Sequence, residues 1–123
     1  MTKPLLLAML AALSSAVSTV QAQSPPTRFI CDVRQVGGRD TLRLEFILDP
    51  GGERAVMIGN NGMSPVLPMA GREAVRFVEF NATGAIQSTS IARDGAVVHS
   101  RHTLLSTGFV NTQFTGQCQR SGA

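Results

Sequence analysis

Cys31 and Cys118 are the only cysteines in the 123-residue chain, one near each end of everything that follows residue 22. Two thiols allow a single intramolecular pairing. That bond closes a loop of nearly a whole domain, which in the chain-entropy model stabilises the folded state by about 4–5 kcal/mol. It also requires the first and last folded segments to lie side by side or face to face, because bridged Cα atoms sit within about 7 Å of each other. Neither cysteine belongs to a Cys-x-x-Cys pair and no histidine cluster accompanies them, so a structural bond is expected here and not a reactive thiol or a metal ligand.

The N-terminus supplies an oxidising address. Lys3 gives a positive start, residues 5–17 are apolar except for Ser14 and Ser15, and Val20-Gln21-Ala22 offers a small-residue cleavage site. Residues 1–22 therefore read as a signal peptide and residues 23–123 as one domain. The apolar run is shorter than the roughly 20 residues a spanning helix needs, and no cysteine precedes Cys31 to carry a lipid. No stable membrane anchor is expected, and the location predicted is periplasmic or secreted.

Hydrophobic residues make up 43% of the chain and charged residues 15%, against roughly 25% in ordinary domains, which argues against disorder. Residues 23–123 hold ten arginines, no lysine and eight acidic residues. The arginines are scattered, and Trp and Tyr are both absent, so nucleic-acid binding lacks its electrostatic patch and its stacking platform.

Alternation dominates the mature part. Phe29, Cys31 and Val33 alternate with Ile30, Asp32 and Arg34 until Gly37-Gly38, and Leu42, Leu44, Phe46 and Leu48 repeat the pattern before Asp49-Pro50-Gly51-Gly52. Residues 55–58 are apolar on both faces, Asn60-Asn61-Gly62 makes a turn, and Pro65 and Pro68 limit the segment around Val66 and Leu67 to an edge or irregular strand. In residues 73–80, Val75 and Phe77 share one face while Val78 and Phe80 share the other, which predicts either two covered faces or a bulge. Residues 86–92 and 96–103 flank Arg93-Asp94-Gly95 as a hairpin. In the last strand Val110, Thr112, Phe114, Gly116 and Cys118 fall on one side. About eight short strands with regular turn signals predict an all-β antiparallel barrel or sandwich, and the terminal disulfide favours the closed barrel, with side chains filling it.

Chemistry-bearing residues are sparse. His99 and His102 stand on one strand with opposite faces, so they do not chelate one metal, and no metal or cofactor is expected. Ser100, Arg101 and His102 form the densest polar cluster on a strand and are the binding-site candidate. Glu45 and Glu79 are expected at outward, solvated positions, and Phe109 in the core. Residues 55–58 and 78–80 are candidates for a partner surface or dimer seam. Asn81-Ala82-Thr83 matches a glycosylation acceptor. Elbow, zinc-helix, phosphate-loop and calcium-loop motifs are absent from the sequence.

Ala96-Val97-Val98-His99-Ser100-Arg101-His102-Thr103, with Ser106-Thr107-Gly108 and Gln113-Phe114-Thr115-Gly116-Gln117-Cys118, resembles the tail of small uncharacterised exported proteins of alphaproteobacteria. These pair an early Phe-x-Cys with a late Gly-x-Cys, here Phe29-Ile30-Cys31 and Gly116-Gln117-Cys118. The resemblance covers about 25 residues and implies a fold and an address without an activity. The function expected is an exported non-catalytic binding module that holds a protein or small ligand at its mouth or along Ser100, Arg101 and His102. The alternatives are an inhibitor of a cell-wall hydrolase and a hydrolase using His99 or His102.

Overall fold

The computed structural model describes residues 24–82 and 84–122; the signal-peptide reading and the Thr83 position of the glycosylation motif lie outside them. Eight strands follow one another: β1 (Thr27–Gln35), β2 (Thr41–Leu48), β3 (Ala55–Gly59), β4 (Gly62–Ala70), β5 (Ala74–Phe80), β6 (Ile86–Ala92), β7 (Ala96–Leu105) and β8 (Gly108–Ser121). Each pairs antiparallel with the next, and β8 returns to β1, so the meander closes into a barrel and the sandwich alternative falls away. Closure leaves the wall no open edge.

The seam between β1 and β8 carries the disulfide. Cys31 and Cys118 are direct partners in the register, with Cα atoms 3.9 Å apart, so the two ends of the sheet are bonded where they meet. Such a bond belongs to an oxidising, non-cytoplasmic compartment.

Alternation sets the interior. Phe29, Val33, Leu44, Phe46, Met57 and Val66 from β1 to β4 point inward, and Phe77, Ile91, Val97 and Phe114 complete the filling. The Phe77 ring stacks on Phe46 at 4.5 Å between centroids and meets Phe29 edge-on at 5.9 Å. Turn chemistry fixes which residue leads each strand. Asp49 Oδ1 accepts the Glu53 and Arg54 amides at 3.0 and 3.2 Å, and Gly95 takes φ +92° in the predicted β6–β7 hairpin, where its amide donates to the Ala92 carbonyl at 2.9 Å.

Three expectations are corrected. β4 is a regular nine-residue strand inside the wall, neither at an edge nor irregular. Its prolines are tolerated because its first half, through Val66, pairs with β3 while its second half, from Leu67, pairs with β5. Each proline thus sits where only one side of the strand carries a ladder. β5 has an uninterrupted register, so no bulge exchanges its faces, and Phe80 stands open to solvent at 71% exposure. Phe109 is likewise 71% exposed and not in the core. The cause is length: β7 pairs with β8 as far as Leu105 opposite Gly108, whereas the β6 ladder stops at His102 and the β1 ladder at Phe114. The β7–β8 ribbon outruns its neighbours and carries Leu104, Leu105, Phe109 and Val110 clear of the wall.

The expected partner seam resolves into two parts. Ala55 and Met57 are core residues, while Val56 and Ile58 face outward opposite Pro65 and Met63, and Val78 faces outward opposite Leu67. β4 therefore bridges the outward apolar positions of β3 and β5.

Candidate functional site

The barrel has two poles. At the mouth pole β1 ends, β2 begins and the β7–β8 ribbon projects; at the terminal pole β1 begins and β8 ends. A cavity of about 360 Å³ opens at the mouth pole, walled by Leu44 and Met57 and rimmed by Asn60, Asn61 and Asn81. Its further polar lining includes Glu79, Gln87 and Arg101. These three stand on adjacent strands in one transverse row, because Glu79 pairs with Gln87 and Gln87 with Arg101.

Parity explains their aim. Phe77 and Thr89 point inward, so Glu79 and Gln87, two residues along their strands, point inward as well. Glu79 is therefore not the outward, solvated acid expected, since its Oε2 is buried without a hydrogen-bond partner. Glu45 does face outward, where Arg28 Nε meets its Oε1 at 2.8 Å.

The candidate strand is divided by the same pleat. Arg101 lines the cavity and its Nε is buried without a partner, whereas Ser100 and His102 lie on the outer face, opposite Gln113 and Asn111 of β8. The three do not form one site.

His99, the histidine of the hydrolase alternative together with His102, stands two residues before Arg101 on β7 and shares its inward face. It is 0% exposed, its ring lies 5.8 Å from that of Phe114, and its Nδ1 shares a 2.7 Å hydrogen bond with Thr89 Oγ1. Its Nε2 is buried without a partner. Burial first, and the Arg101 charge second, lower its pKa from 6.5 to about 4, so the imidazole is neutral at physiological pH. The signal that finds it is inward parity with Val97; a lone histidine in an apolar strand otherwise carries none.

Chemically the row offers one carboxylate acceptor, one amide and one guanidinium donor above a neutral imidazole, with the asparagine amides at the rim. Among the described residues no three His, Cys, Asp or Glu side chains come together to hold a metal ion. No protein-family model, curated protein or solved structure matches this chain.

Proposed function

We propose that the chain is a non-catalytic binding module, exported to the periplasm or extracellular space, which takes a small polar ligand of no net charge into the mouth cavity. The carrying observation is the pair of buried, unpartnered atoms on residues that line that cavity: Glu79 Oε2 and Arg101 Nε. A buried polar group left unsatisfied costs about 1–3 kcal/mol, and a ligand presenting both donors and acceptors removes that cost on binding. One cation and one anion in the row leave it without net charge, and the asparagine rim suits hydroxyl or amide groups. His99 supports a binding role, because its partner is a threonine hydroxyl instead of an acid that would activate it. Export rests on the signal-like residues 1–22 and on the disulfide.

Calorimetric titration of the exported protein with neutral saccharides, zwitterionic amino acids and short peptides tests the reading. A ligand of this site loses at least tenfold in affinity on Glu79→Gln or Arg101→Leu and is indifferent to Ser100→Ala. Ligands that bind both pole variants as tightly as the parent protein exclude the mouth.

A further inference from the structure

A second cavity, about 460 Å³ and larger than that of the mouth, lies at the opposite, terminal pole and has a different character. Its floor is apolar: Phe29, Leu48, Val75 and Ile91. Three arginines line it, each delivered by a different part of the chain. Arg72 comes from the β4–β5 turn, Arg93 from the β6–β7 turn and Arg120 from the end of β8. Closure of the barrel is what brings them together, since the turns and the last strand meet only at this pole.

Their charges are uncompensated. Among the described residues none of the three has a carboxylate within ion-pair distance, and the ion pair of Arg28 with Glu45 lies on the outer wall. Asp94 is the one acid lining the cavity, and its Oδ1 is engaged by the Ala96 amide at 3.0 Å. The lining residues thus carry a net charge of +2. Arg120 shares the inward face of Cys118, and its guanidinium carbon lies 5.7 Å from the centroid of the Phe29 ring, at the boundary between apolar floor and basic rim.

Like charges gathered around an apolar floor repel one another, and an anionic group bound among them relieves that repulsion and accepts charge-assisted hydrogen bonds from the guanidinium groups. We infer that the terminal-pole cavity is a second binding site, for an amphipathic organic anion: an apolar body on Phe29, Leu48, Val75 and Ile91, and a carboxylate or phosphate head among Arg72, Arg93 and Arg120. The volume falls within the range of about 300–1,000 Å³ usual for small-molecule sites. The site is independent of the mouth, which has no net charge and lies at the other end of the barrel.

The test uses the exported, oxidised protein and three probes: decanoate below its micelle concentration, decanol and inorganic phosphate. Decanoate is expected to bind saturably with one-to-one stoichiometry, at least tenfold tighter than decanol or phosphate, and to weaken as salt is raised. Arg93→Gln and Arg120→Gln each weaken it about three- to tenfold and the triple Arg→Gln variant abolishes it, while Arg101→Leu at the mouth leaves it unchanged. Amide chemical-shift mapping on the unmodified protein gives a readout that does not depend on a variant folding: perturbations cluster at Val75, Ile91 and Gly95 and spare Gly59 and Asn61. Phosphate binding as tightly as decanoate overturns the apolar half of the inference. Equal binding of decanoate and decanol, or perturbations at the mouth, overturns the whole.

Discussion

Thr89 and His99 face each other across the β6–β7 ladder, wholly inside the barrel, with the hydroxyl oxygen 2.7 Å from Nδ1. The folded barrel holds His99 neutral down to about pH 4, whereas the unfolded chain takes up a proton near pH 6.5. The unfolded state therefore binds more protons in the window between them, and this contribution to stability is intact above pH 6.5 and lost as pH falls toward 4. Denaturant titrations at pH 7 and pH 4 are expected to show a loss of about 3 kcal/mol from this group. A Thr89→Val, His99→Phe double variant removes both partners and flattens that part of the pH profile. An unchanged slope in the double variant would assign the pH dependence to other groups.

The seam disulfide spans 87 positions. Replacing Cys31 and Cys118 together by alanine is expected to cost about 4–5 kcal/mol in denaturant unfolding, together with a smaller loss from the vacated interior. The far-UV spectrum of whatever remains folded stays that of a β-protein. A loss below about 1 kcal/mol would mean that the β1–β8 ladder holds the seam without the sulfurs.

Gly116 occupies an inward position where β8 passes so close to β1 that a Cβ would overlap the Asp32 carbonyl oxygen. Alanine in place of a strand glycine ordinarily stabilises by reducing the freedom of the unfolded chain. Here the sign reverses: Gly116→Ala is expected to lower stability by about 1–3 kcal/mol through backbone displacement at the seam. Thermal melts of the two proteins settle the sign.

Two phenylalanines separate packing from exposure. Phe77 is 1% exposed between two other rings, and Phe77→Ala is expected to cost about 3–5 kcal/mol. Phe109, on the projecting ribbon, is expected to change stability by no more than about 0.5 kcal/mol on the same substitution. Comparable losses for both would place the ribbon against the barrel.

The wall was legible because alternation is a local signal: Phe29, Cys31 and Val33 announce their shared face without reference to any other strand. The cysteine pair then supplied closure, the one long-range fact a two-thiol chain can carry. The candidate site residues are harder to read. Glu79 lies two residues beyond Phe77 and inherits its face, yet a charged side chain on an alternating strand ordinarily reads as solvated. Arg72, Arg93 and Arg120 look scattered along the chain because their convergence depends on three separate elements meeting at one pole. The exposure of Phe109 escapes local pattern for a related reason, since ribbon length relative to its neighbours is a property of the whole ladder and not of any segment.

The pairing of Arg28 with Ser121 places both strand ends at the terminal pole. A tag, tether or fused domain joined beyond either end consequently emerges beside the arginines and leaves the far opening unobstructed. Immobilising the protein at either of these strand ends presents the asparagine rim to solution and crowds the basic pocket against the support.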